Sequence, residues 1–212
     1  MRHTPHYLLE DRDEVRRLVR ENPWATIVSH VPDHGIVASH YPFLLDEEAS
    51  TGDEIVLLSH VGRPDEQLHR LGDSEVLVIV QGPHGYVSPS WYAPGDNIPT
   101  WNHVTTHLYG VPEILDDAEN FRVLAHLTDH FERRVGESAR SLALDEEYSR
   151  RVARGTVGLR LRVTRIDARR KLSQNKPAEV VDRIIDELEG DGPYAHDGLA
   201  REMRRVHDPR RS

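Results

Sequence analysis

The 212-residue chain has no cysteine. This excludes disulfides, thiolate zinc sites, cysteine-ligated iron–sulfur clusters and a cysteine nucleophile, and it is compatible with a reducing cytoplasm. Long apolar runs are missing too. None approaches the roughly 18 residues of a membrane span. The opening MRHTPHYLLEDRDEVRR lacks the apolar centre of a signal peptide. A soluble cytoplasmic protein with no membrane partner is therefore expected. The motifs GxGxxG, GxxxxGK[ST] and GxSxG are absent, which removes these dinucleotide, P-loop and hydrolase-elbow readings. The net charge of −9 offers no global attraction to nucleic acid. It argues against direct DNA binding, since the only obvious basic patch is the terminal REMRRVHDPRRS.

What is present points to strands. Asp11 and Glu14 resemble a capping box, and Val15, Leu18 and Val19 form a helical apolar stripe that should stop at Asn22-Pro23. ATIVSHV (25–31), IVASHYPFLLD (36–46) and EIVLLSHV (54–61) read as strands, and PDEQLHRL (64–71) as a short helix. EVLVIVQG (75–82) is nearly all β-branched or aliphatic and reads as a strand buried on both faces. VTTHLYGVPEIL (104–115) and VGLRLRVTRID (157–167) read as further strands. Residues 118–135, 145–154 and 178–189 read as helices. The first of these should turn Phe121, Leu124, Ala125, Leu127, Thr128 and Phe131 inward. Short connections favour a mainly β fold with helical additions. One domain over 1–190 and a polar, frayed tail over 191–212 complete the expected division.

Four of the thirteen aromatic residues, Tyr86, Trp91, Tyr92 and Trp101, fall within QGPHGYVSPSWYAPGDNIPTWN (81–102). Exposed rings forgo burial energy, so a core, a second subunit or a flat ligand should cover them. The bland alternative is a hairpin excursion packed on its own chain. Arg63, in SHVGRP at a strand-to-helix junction, suits a phosphate, or is simply a surface arginine beside a turn. RRKLSQNKP (169–177) combines cations with hydrogen-bonding side chains, and its plain reading is a solvated loop before a helix. His103 and His107 lie four apart, but no Glu stands in an HExxH arrangement. Hydrogen-bonded or solvated histidines are the simpler account, and no metal is expected.

Taken in order, SHYPFLLDEE, LSHVGRPDEQ, VLVIVQGPHGYVSPSWY, IPTWNHVTTHLYG and KLSQNKP resemble the PaiB-type family of FMN-binding negative transcriptional regulators. The resemblance extends through most of residues 5–185. It implies a split β-barrel of the flavin-reductase and pyridoxamine-phosphate-oxidase type, a homodimer with FMN at the subunit interface. One departure stands out. An Ala-Arg-Ala-Asn phosphate region common in the family is Gly62-Arg63-Pro64-Asp65 here, and Asp65 adds an unfavourable charge.

The resemblance supplies a cofactor-binding set. Arg63 and Lys171 would face the phosphate, and Trp91, Tyr92 or Trp101 would flank the ring. Ser39, His40, His60, Ser88, Ser90, Ser173, Gln174 and Asn175 would address the polar edges. His40, His60 and His103 are candidates for proton transfer, but no catalytic residue is assigned. The implied activity is that of a flavin-dependent oxidoreductase using a reduced nicotinamide or another small substrate. The alternatives are a regulator acting on DNA or through a protein partner, and a haem-binding or haem-degrading split barrel.

Overall fold

The computed structural model describes residues 4–92, 98–136, 139–142 and 146–207. Residues 93–97 of the aromatic stretch, 145 at the start of an expected helix, and 208–212 of the basic tail lie outside the described residues. The chain divides into two compact units. One comprises residues 12–80 and 107–166, and the other residues 1–11, 81–106 and 167–212. Among the described residues, no helix is long and apolar enough to cross a membrane.

The first unit begins with helix α1 (Arg12–Glu21), which buries Val15, Leu18 and Val19. Asp13 and Glu14 in its first turn and Arg20 in its last complement the helix dipole. Arg16 is also buried. Its guanidinium meets Asp13 at 2.7 Å and donates to the carbonyls of Glu54, at 2.9 Å, and Gly52.

Strand β1 (Trp24–Val31) alternates, turning Ala25, Ile27, Ser29 and Val31 inward. It pairs antiparallel with the edge strand β2 (Gly35–Pro42) and with β5 (Val76–Val87). A second, four-stranded sheet has the order β3-β4-β8-β7, with β3 at Leu44–Leu45, β4 at Val56–Gly62, β7 at Pro112–Ile114 and β8 at Thr156–Arg162. Both ladders of this unit are open.

Three sequence expectations are corrected here. The expected single strand over 36–46 breaks after Pro42, which carries no amide hydrogen. Phe43, fully buried, donates instead to the Pro23 carbonyl at 2.7 Å, and the chain passes from one sheet to the other. The expected strand over 104–115 likewise splits into β6 (Thr100–Gly110) and β7, which begins at Pro112. A side chain at Gly110 would lie 2.4 Å from the Arg162 carbonyl oxygen, so only glycine fits. The stretch 157–167 divides between β8 and β9 (Arg165–Lys171), where Val163 bonds to Ile55 and Thr164 to Tyr109.

Helix α2 (Arg63–His69) follows β4 with Pro64 in its first turn. Helix α3 (Asp117–Glu132) is capped by Asp116, whose carboxylate accepts from Glu119 N at 2.8 Å. Its buried face is Asn120, Val123 and Leu127, rotated from the expected one, and Phe131 remains 40% exposed. Asn120 causes the rotation. Its buried amide donates to the carbonyls of Ala153 and Thr156, which close helix α4 (Glu146–Ala153) onto β8. Val123 and Leu127 join Leu44 and Leu115 in an apolar cluster.

The second unit holds the ends of β5, β6 and β9, neighbours in that order. β5 is longer than expected and alternates: Val76, Val78 and Val80 are buried while Leu77 and Ile79 are half-buried. Much of the supposed aromatic loop is therefore strand, followed by a 3-10 turn at Pro89–Trp91. The expected loop at 169–171 also belongs to a strand, β9.

Helix α5 (Ala178–Glu189) packs against α6 (Asp197–His207). Residues 197–207 are thus a helix rather than a frayed tail, with Leu199, Ala200 and Met203 fully buried. The amino-terminal segment joins this unit as well, through a Leu8–Arg169 bridge and a bond from Leu9 N to the Ala168 carbonyl.

Candidate functional site

Strand alternation gives the second unit's sheet two unlike faces. One backs onto α6. A side chain at Gly85 would meet Leu199 at 2.9 Å, and Asn102 reaches Met203 Sδ at 3.5 Å. The other presents His84 and Tyr86 from β5, Trp101 and His103 from β6, and Arg169 and Lys171 from β9.

The Tyr86 and Trp101 rings meet edge to face at 6.3 Å, and Tyr194 tilts onto Tyr86 at 5.0 Å. Trp101 is 56% exposed. Lys171 Nζ donates to the Trp101 carbonyl at 3.1 Å and to Thr100 Oγ1. Lys171 and Lys176 are the chain's only lysines.

Burial, and after it the neighbouring Arg169 charge, lowers the Lys171 pKa. Burial also lowers that of His103, followed by the charges of Arg169, Lys171 and His84. The charges that lower these two pKa values are cationic. Nε of Arg169 is buried with no hydrogen-bond partner among the described residues, while its guanidinium lies 5.8 Å from the Tyr7 ring. A fork with an unused buried donor, set among cations, suits an anion.

The KLSQN turn around this face differs from expectation in detail. Leu172 and Ser173 are buried, and Ser173 adopts a left-handed φ of 64°. Ser173 Oγ accepts from Asn102 Nδ2 at 2.9 Å and donates to Asn102 Oδ1 at 3.2 Å, behind the sheet. Gln174 bonds within its own turn, to Leu172 N and the Arg170 carbonyl. Asn175 is exposed and accepts from Tyr7 OH at 3.2 Å.

Ser88 caps the 3-10 turn, accepting from Ser90 N at 3.2 Å. The Trp91 carbonyl accepts from Arg183, and Lys176 lies 4.4 Å from the buried Tyr92 ring. The cleft beside Ser90 and Trp91, about 470 Å3, is lined by Asp186, Glu187 and Asp191, which disfavours phosphate there.

The remaining expected residues belong to the first unit. Ser39 Oγ lies 3.0 Å from His69 Nε2, whose Nδ1 is 2.8 Å from Ser29 Oγ. His69 is 2% exposed, and burial lowers its pKa against a smaller opposing pull from Asp65. His40 stacks on the exposed Trp24. His60 Nδ1 is buried with no hydrogen-bond partner among the described residues, and burial lowers its pKa. Tyr41 OH donates to Asp65 at 2.5 Å and accepts from Gly62 N at 3.2 Å. Burial and then Asp65 raise the Tyr41 pKa.

Arg63 gives Nε to the Arg154 carbonyl at 2.6 Å and approaches Asp117 at 3.5 Å, leaving other donors of its half-exposed fork available. Glu66 and Asp117 share its cleft of about 110 Å3. Among the described residues, no His, Asp and Glu cluster could hold a metal ion. Sequence reasoning missed His69, Tyr41 and Asn102. It also missed one legible signal, the confinement of both lysines to a single heptad-length stretch.

Residues 1–165 match the family described as "Putative FMN-binding domain", and the chain belongs to this PaiB-type family. It is 28% identical over 187 residues to the Bacillus subtilis "Protease synthase and sporulation protein PAI 2", covering 88% of each chain. It is 34% identical over 119 residues to the uncharacterized protein YKL070W of Saccharomyces cerevisiae, covering 52% of this chain and 69% of that one. Two solved structures share the fold. The FAD and heme binding protein of Mycobacterium smegmatis superposes with a TM-score of 0.58 at 19% identity, covering 89% of this chain and 82% of that one. The flavocytochrome Anf3 of Azotobacter vinelandii gives 0.59 at 14%, covering 81% and 72%.

Proposed function

We propose that this protein is an FMN-dependent oxidoreductase that acts as a homodimer of split-barrel subunits. The observation that carries the cofactor assignment is the cationic and aromatic sheet face. Lys171, Arg169 and His103 lie together there, with Arg169 Nε unsatisfied, beside the half-exposed ring of Trp101. Lys171 and the Arg169 fork meet the phosphate, while the exposed Trp101 gives flat contact to the ring and Tyr86 supports Trp101 edge-on. Within the first unit, taken by itself, Arg63 is the alternative anion anchor, and the buried Nδ1 of His60 offers a hydrogen bond from a neutral imidazole. Bound FMN supplies redox chemistry, with a reduced nicotinamide as the donor.

The dimer reading rests on the face of β1 and β2 that carries Trp24, 65% exposed, and Ile36, 78% exposed, with Ala38 and His40 alongside. A two-fold interface would remove this apolar surface from water. The cofactor test is a titration of flavin-free protein with FMN and with riboflavin, followed by anaerobic addition of reduced nicotinamide. Saturable FMN binding about tenfold tighter than riboflavin binding is expected, the scale of one charge-assisted contact. Bleaching of the bound flavin should follow. Indifference to the phosphate overturns the assignment of Lys171 and Arg169, and a flavin that stays oxidised overturns the donor.

A further inference from the structure

Lys171 and Trp101 stand on the adjacent strands β9 and β6, which are joined from behind as well as through the Lys171 ammonium. Asn102, the residue after Trp101, is fully buried and surrounds the Ser173 hydroxyl with both ends of its amide. The same amide nitrogen reaches Met203 Sδ on α6, and His207 Nε2 lies 2.9 Å from the Leu172 carbonyl. Alternation places Asn102 on the face opposite Trp101, and the left-handed turn after β9 brings Ser173 to that same rear face, where its hydroxyl meets the Asn102 amide. Ser173 is held at φ 64°, a conformation that L side chains rarely adopt. The turn tolerates that strain while keeping the hydroxyl within the Asn102 amide. Met203 and His207 lie beyond the family-matched residues 1–165, as do Lys171 and Ser173.

We infer that Asn102 and Ser173 form a rear clamp, backed by α6, that positions Lys171 over the start of β6 and so sets the anion-binding geometry of the opposite face. Both are positioning residues, and their link to FMN rests on the function proposed above. Once the clamp is released, Lys171 leaves the Trp101 carbonyl and extends into solvent among Arg169, His103 and His84.

Ser173→Gly separates this role from a structural one. It strands the buried Asn102 amide but relieves the left-handed backbone, so its two effects on melting oppose each other, and the Lys171 readout rather than melting carries the test. Asn102→Ala serves as the second variant. Because the chain has two lysines, trace acetylation with acetic anhydride across pH, read by peptide mass spectrometry, reports Lys171 against Lys176 as an internal reference. In the parent protein Lys171 should label with a midpoint pH below that of an ordinary lysine side chain. In Ser173→Gly that difference should shrink, and FMN affinity should fall about tenfold with riboflavin affinity little changed. An unaltered Lys171 profile in both variants overturns the clamp. An altered profile with unchanged FMN affinity upholds the clamp and overturns the placement of the phosphate at Lys171.

Discussion

Gln174 closes its own turn around Leu172: Oε1 accepts the Leu172 amide at 2.7 Å, and Nε2 returns to the Arg170 carbonyl, also at 2.7 Å. The side chain thereby holds buried Leu172 in place. Gln174→Ala should lower stability by about 1–2 kcal/mol, the scale of an intramolecular bond plus a stranded amide. Urea unfolding with an unchanged midpoint would show that the turn does not need this amide. Asn175→Ala, at an exposed site where the side-chain carbonyl accepts from Tyr7 OH, should cost less than Gln174→Ala.

Arg63→Ala should weaken FMN several-fold while leaving riboflavin binding nearly intact, because the guanidinium fork can address only the phosphate. Calorimetry with the two ligands checks this. Equal losses would instead trace the effect to the Arg154 carbonyl contact and the α2 junction it fixes.

Ile36→Asp places a charge on the most exposed large apolar side chain of the β1–β2 face. Sedimentation at micromolar concentration should show a dimer for the parent and a monomer for the variant, since an unpaired charge is costly in an apolar interface. A parent protein that already sediments as a monomer refutes the homodimer.

Acid should destabilise the fold through His69. Burial between Ser29 and Ser39 holds its folded pKa below the ordinary value of 6.5. As pH falls, the unfolded chain takes up the proton first. The contribution is therefore full above the unfolded value and is lost progressively below it, down through the lowered folded value. His60 and His103 act in the same direction. Urea unfolding at pH 7.5 and 5.5 should give a smaller stability at the lower pH, and His69→Gln should narrow that difference. An equal difference in the variant would place the acid sensitivity elsewhere.

Helices α1 and α5 were legible because their apolar stripes are continuous. In α3 the period was right but its phase was not, since the buried position nearest α4 is taken by Asn120 for its amide rather than by Phe121. Helix α6 was obscured by its arginines, which surround a narrow stripe of Leu199, Ala200 and Met203. At the candidate site, residue types indicated anion and ring binding, but facing depends on strand register and turn geometry. Ser173 and Lys171, two residues apart, are separated in role by the left-handed turn between β9 and α5. Nothing in the residue types of KLSQN distinguishes the side chain that looks out from the one held inside.

Strand β2 has one neighbour, β1, so its outer edge carries backbone donors and acceptors that no other strand of its sheet takes up. Alongside them stand Ile36 and Trp24. An edge of this kind is a template for adding strands from any chain, including partly folded copies. If two copies pair over this face as proposed, loss of that pairing by dilution or by a mutation elsewhere would release a seed for aggregation rather than a benign monomer. A charge placed on Ile36 should then both separate the proposed dimer and silence the seed.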